Sequence, residues 1–177
     1  MIKRTIYLIS GPAGVGKSTT SKELVKSLDR SAYISGDDIS HIPVNGRGKP
    51  WLCPETLSLT WENVISITKN LIKYQYDVVI DYVTLLKELD WLVDQLSDYQ
   101  VRIIYVVLLV DEDTLKYRDS LRPIENQMGE RSIILLQEFK ESGVDVKHIL
   151  DTSKYEMSQL ETIIDDIKTN MKYVVVS

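Results

Sequence analysis

The run Gly11-Pro12-Ala13-Gly14-Val15-Gly16-Lys17-Ser18-Thr19 constrains this chain more than any other feature, because it fits the spacing G-x-x-x-x-G-K-[ST]. It stands between an apolar stretch, Ile6-Tyr7-Leu8-Ile9, and a segment with Leu24, Val25 and Leu28 on one helical face. A buried strand, a glycine-rich loop and a helix, in that order, are the context that gives the spacing physical meaning. Glycines let the backbone fold around a phosphate chain so that several N–H groups point inward. The N-terminus of the next helix adds partial positive charge. In such a loop Lys17 reaches the β- and γ-phosphates and the hydroxyl of Ser18 is placed to ligate magnesium.

Strand-like and helix-like segments then alternate to the end of the chain, which predicts an α/β fold with a parallel sheet covered by helices on both faces. The expected strands are Thr5–Ser10, Ala32–Ser35, Asp77–Tyr82, Val101–Val110 and Val146–Leu150. Several are continuously apolar, as strands buried on both sides are. Helical patterns fall at Lys17–Leu28, Pro54–Tyr76, Leu85–Leu96, Glu112–Leu121, Gly129–Glu141 and Met157–Met171. In the longest, Leu57, Trp61, Val64, Ile65, Leu71 and Ile72 recur at three- and four-residue steps, and Pro54 suits its first turn. The closing Tyr173-Val174-Val175-Val176 reads equally as a short edge strand or a frayed tail.

With 177 residues, 44% of them hydrophobic, one well-buried core and one domain over 1–177 are expected. The formal net charge of -5 argues against a general nucleic-acid binder. Cys53 is the sole cysteine, so neither a disulfide framework nor zinc-type spacing exists, and a buried packing role is expected for it. No leader is evident at the start, and the longest apolar run, Ile103 to Val110, is far short of a membrane span. A soluble, cytoplasmic protein with no membrane or nucleic-acid partner is the expectation, as monomer or homodimer.

In open α/β sheets the ligand lies outside the carboxyl ends of the strands. Strand one ends in the phosphate loop, strand two in Gly36-Asp37-Asp38, strand three in Asp81 and strand four in Asp111. Asp81 follows three β-branched residues, the form of an acid that holds magnesium or its water. Asp111 begins Asp111-Glu112-Asp113-Thr114, better read as a helix cap. One of Asp37 and Asp38 can orient an attacking hydroxyl in line with a γ-phosphate, the other capping the helix that begins near Ile39. Residue types alone do not say which.

Arg118 and Arg122 share a helix face just before the turn-rich Pro123-Ile124-Glu125-Asn126-Gln127-Met128-Gly129, and Arg131 follows. Arginines flanking such a segment suit a lid, here about 118–132, that closes over a nucleotide; pairing with Asp119 or Glu125 is the alternative. The loop from His41 to Cys53, at the start of a substrate region of about 38–76, offers Arg47 and Lys49 to an anionic group, with Trp51 as an apolar wall or a core residue. His41 and His148 have no visible acid or nucleophile partner. Asp151-Thr152-Ser153 reads equally as an adenine-contacting loop or a cap.

Together these residues resemble the P-loop small-molecule kinases, relatives of adenylate, shikimate and gluconate kinases and chloramphenicol phosphotransferase. The resemblance runs through nearly the whole chain as an order of motifs, with only the phosphate loop highly specific. It implies a three-layer fold with a five-stranded parallel sheet in order 2-3-1-4-5. It also implies ATP and Mg²⁺ as cofactors and a small hydroxylated molecule as acceptor. By that resemblance Asp37 orients or deprotonates the acceptor, Asp81 is the strand-three acid, and Arg118, Arg122 and Arg131 are lid arginines. Gly36-Asp37-Asp38-Ile39-Ser40-His41-Ile42-Pro43 and Gly48-Lys49-Pro50-Trp51-Leu52 echo two gluconate-kinase segments, but His41 is displaced by a residue and the intervening loop is shorter. The N-K-x-D and D-x-x-G motifs that a GTPase resemblance would need are absent. A non-catalytic ATP-binding module is the third class of function.

Overall fold

Nine residues, Val101 to Leu109, apolar but for Arg102, form the longest strand, β4, of the computed structural model, which describes residues 3–177. Ile103 to Leu108 are at most 1% exposed, because helices cover both faces of the sheet. β4 pairs in parallel with β1 (Arg4–Ser10), in register from Arg4 opposite Val101 to Ser10 opposite Val107. β3 (Asp77–Asp81) lies on the other side of β1, and β2 (Ser31–Ser35) beyond β3. β5 (Ile149–Asp151) adds to the far end of β4, so the parallel order is β2-β3-β1-β4-β5, as the resemblance implies.

Two details differ from the sequence reading. The sheet has a sixth strand, β6 (Val174–Val176), which runs antiparallel to the start of β4, so the valine-rich end is an edge strand. β5 is shorter than the expected Val146–Leu150, because Asp145 accepts from the N–H of Lys147 and turns residues 146–148 into a 3-10 turn. Both are short edge elements whose place is set by β4 rather than by their own pattern.

The helices are α1 (Lys17–Lys26), α2 (Gly36–Ser40), α3 (Pro54–Lys73), α4 (Leu86–Gln95), α5 (Glu112–Ser120), α6 (Glu130–Glu141) and α7 (Leu160–Thr169). Along α3, Trp61, Val64, Ile65 and Ile72 are buried at the spacing read from the sequence. It stops at Tyr74, after which Gln75 takes a positive φ of 65° to turn the chain into β3. None of the described helices is long and apolar enough to cross a membrane.

His148 is 7% exposed, with its ring 5.4 Å from that of Tyr105. Its Nδ1–H donates to the Tyr105 carbonyl at 3.1 Å, which fixes the neutral tautomer. Burial depresses its pKa below the usual 6.5. Above 6.5 both folded and unfolded chains leave this ring neutral; below it the unfolded state takes a proton that the folded state refuses. Melting temperature is therefore expected to begin falling as pH drops below about 6.5, and His148→Gln, which keeps a donor for Tyr105, should remove that part of the fall.

Candidate active site

The strand ends fix the backbone of the phosphate loop. Gly11 has φ 134°, and a Cβ there would lie 2.3 Å from the Leu108 carbonyl oxygen. Only glycine lets the chain leave β1 so close to β4. Gly14 and Gly16, with φ of 82° and 103°, complete the curl, and Val15 between them is anchored in the core. Lys17 Nζ donates to the carbonyls of Gly11 and Pro12, both at 2.9 Å. Burial lowers its pKa, while the carboxylates of Asp81 and Asp37 work the other way. The Nζ thus lies in a basin shared by the loop and two strand-end acids.

Asp81, 5% exposed, ends β3 beside that basin. Its Oδ2 accepts from the Tyr33 hydroxyl of β2 at 2.7 Å, and burial followed by this bond raises the Tyr33 pKa. Asp81 and the exposed Ser18 both line the central cavity. One hydroxyl and one carboxylate beside a phosphate loop fit Mg²⁺, which keeps most of its waters and takes phosphate oxygens. Among the described residues no cluster of three or more His, Cys, Asp or Glu forms an all-protein cage.

The two aspartates after β2 are placed differently. Ser35, not either aspartate, caps α2, its Oγ accepting from the Asp38 N–H at 3.1 Å. Both aspartates are exposed, but Asp37 lines the cavity and Asp38, also expected at the substrate, is not among its lining residues. Although the Asp37 carboxylate opens to the cavity, the surrounding walls desolvate it and raise its pKa; Lys17 lowers it and Asp81 raises it further. Gly36 sets this position, since a Cβ there would meet the Tyr82 ring at 2.1 Å. Tyr82 in turn packs on Trp61, ring centroids 5.4 Å apart. Gly36→Ala is expected to cost about 1–3 kcal/mol of stability through overpacking, measured by denaturant unfolding.

The lid residues divide their work. Arg118 donates to the Val15 carbonyl at 3.0 Å and to the Thr152 carbonyl at 3.3 Å, tying the phosphate loop to the turn after β5. Arg122 sits 3.4 Å from Asp119, the alternative pairing considered from sequence, yet still lines the cavity. Asp119, 5% exposed, has a second role beyond the arginine pairing that the sequence suggested. Its carboxylate accepts from the backbone N–H of Met128 at 3.0 and 3.1 Å and of Gly129 at 2.8 Å, closing the lid loop onto α5. Burial pushes its pKa up, but those N–H groups and Arg122 outweigh it, and the net shift is downward. Its spacing from Arg122 on the helix is the only hint the sequence carried.

From the long loop, Arg47, Lys49 and Trp51 reach the same cavity, of about 870 Å³. Trp51 is 44% exposed and is a wall of the cavity, not core. The Lys49 ammonium lies 5.7 Å from its ring and the Arg131 guanidinium 5.4 Å. Cys53 is half-buried and precedes α3, with the Thr56 hydroxyl donating to its Sγ at 3.3 Å; the fully buried packing role is not what it plays. His41 lines the cavity, its Nδ1 2.6 Å from the Asp37 carbonyl. Asp111 caps α5 through Thr114 at 2.8 Å, as its sequence suggests. Asp151 accepts from the N–H and hydroxyl of Ser153 and does not line the cavity, while the next helical turn is capped at Glu156.

The model of the AAA domain family matches residues 6–140, and the chain belongs to that family. A comparison with curated proteins gave no significant match. Among solved structures, a sugar kinase from Janibacter sp. HTCC2649 is similar at 16% identity, covering 96% of each chain with a TM-score of 0.68. A tunicamycin resistance protein from Deinococcus radiodurans is similar at 17% identity over 93% of this chain and 94% of that one, TM-score 0.65. An APS kinase from Mycobacterium tuberculosis, solved with AMPPNP and APS, is similar at 15% identity over 94% and 98%, TM-score 0.64. The fold is that of the P-loop kinases.

Proposed function

We propose that this protein transfers the γ-phosphate of ATP to a hydroxyl of a small molecule. The observation that carries the reading is one cavity in which the phosphate loop with Lys17, the strand-end carboxylates Asp37 and Asp81, and the arginines of α5 all meet a second, differently lined half. Asp37 joins the halves: it is electrostatically coupled to Lys17 on one side and to Tyr82 on the other, and Tyr82 is coupled to Arg47.

In the proposed reaction the phosphate loop from Gly11 to Thr19 and Lys17 hold the β- and γ-phosphates by N–H donors and charge. Mg²⁺, when bound, neutralises phosphate charge; Ser18 and Asp81 are the residues that would hold it, with Tyr33 steadying the Asp81 carboxylate. The acceptor oxygen forms its bond to phosphorus as the bond to the bridging oxygen of ADP breaks, and Asp37 accepts the hydroxyl proton. Arg122, with Arg118 bracing the loop beneath it, offsets charge on the phosphoryl group as the lid excludes water. Substrate contacts are assigned to Arg47, Trp51 and Arg131.

The test is ADP release from Mg-ATP across hydroxylated metabolites, nucleotides and antibiotics. Stimulation by one class of compound supports transfer. Tight ATP binding with no stimulated ADP release by any of them would favour a non-catalytic nucleotide-binding module.

A further inference from the structure

Two cations that line the cavity, Arg47 and Lys49, have no acid paired to them among the described residues. Arg47 is half-buried, yet both of its hydrogen-bond partners are neutral: Nε donates to the Ser40 carbonyl at 2.6 Å and Nη2 to the Ser40 hydroxyl at 3.1 Å. No carboxylate lies within ion-pair distance of Arg47 or Lys49 among the described residues. Partly buried guanidinium groups are ordinarily paired with an acid. Ser40 is itself fixed, 2% exposed and with its hydroxyl donating to the Asp37 carbonyl at 2.8 Å. Arg47 is thus held by the same short helix that carries Asp37.

The neighbouring cations complete the pattern. Trp51 gathers Lys49 and Arg131 about one indole ring. Arg131 is bonded to Glu138 at 3.2 Å, while its buried Nε has no partner. Leu57, Leu85 and Leu135 supply apolar wall beside them. Arg47, Lys49 and Arg131 thus line the same cavity as the phosphate loop, in a chain of net charge -5, and of the three only Arg131 has an acid partner among the described residues.

We propose that the acceptor is itself an anion, carrying a phosphate, sulfate or carboxylate group that Arg47 and Lys49 bind with Arg131 beside them, while its hydroxyl faces Asp37. The inference rests on the phosphotransferase reading of the site, deepening it to a substrate class. The fixed fork of Arg47 suits the two oxygens of such a group, and the apolar wall holds its carbon body.

The experiment is a titration at saturating Mg-AMPPNP, which occupies the phosphate loop, using matched pairs: a nucleoside and its 5′-monophosphate, a sugar and its phosphate, a sugar and its acid. In at least one pair the anionic member is expected to bind ten-fold or more tightly than its neutral partner. That gap should shrink below three-fold in Arg47→Gln and in Lys49→Gln, with Arg47→Lys recovering only part of it, and thermal melting checks that each variant folds. The pair with the largest gap identifies the anion. Equal binding within every pair, or a gap that survives both substitutions, overturns the proposal. ADP release from Mg-ATP, measured separately with the same compounds and variants, separates the two readings. A neutral compound that drives ADP release leaves phosphotransfer standing and removes the anion. Tight anion binding without ADP release does the reverse.

Discussion

Asp37→Asn is expected to lower acceptor-stimulated ADP release by about 10²–10⁴-fold, the usual range for losing a positioned general base. Asparagine fills the same space, so Mg-ATP affinity should change far less, and equilibrium binding alongside turnover separates the two. The pH profile gives a second handle. Burial raises the Asp37 pKa, and the adjacent Asp81 adds to it. A base works only when deprotonated, so activity falls as pH drops through that raised value, and the acid limb of kcat/KM, which reports the free enzyme, should lie above the usual carboxylate pKa of about 4. A rate unchanged in Asp37→Asn would remove this residue from the chemistry and leave Gly36 and Tyr82 as packing alone.

Asp119→Ala should loosen the lid. It strips the acceptor from the N–H groups of Met128 and Gly129 and the partner from Arg122. Each unsatisfied donor costs about 1–3 kcal/mol if it stays buried; fraying of the loop into water avoids part of that. Hydrogen exchange at residues 127–132 is expected to accelerate strongly, while the amides of β1 and β4 keep their protection. The native contribution is present at neutral pH and lost as pH falls through the lowered Asp119 pKa, because protonation removes the charge that the N–H groups hold. Unchanged exchange over 127–132 would mean that α6 alone fixes the loop.

Asp119 also shows where reading the sequence stops. The phosphate loop, the apolar strands and the acids at their carboxyl ends are local patterns, so periodicity and spacing disclose them. The sheet order came with the family resemblance and agrees with the pairing of Ile6 with Val78 and Ile103. What local patterns do not carry is partnership across the fold. Tyr33 reaches Asp81 over 48 residues, and Tyr105 donates to the Thr84 carbonyl at 2.7 Å, where Ser10 also donates at 2.8 Å. Trp51 read as either a cavity wall or core, since residue type alone does not say what an indole packs against; it is 44% exposed and lines the cavity with cations around its ring. That Ser35 caps α2 in place of either aspartate, and that Asp37 rather than Asp38 lines the cavity, are likewise competitions between neighbours that composition does not decide.

The way β4 is edged has a consequence for crowding. Its outer margin is paired at two separate places by three-residue strands, β6 antiparallel at Ile103–Ile104 and β5 parallel at Val107–Leu109. A foreign strand docking along that side would have to reverse direction midway, and neither piece is long enough to template it alone. The longest and most apolar strand of the molecule is therefore shielded from pairing with a neighbour, and accretion along that side is blocked by strand polarity rather than by charge.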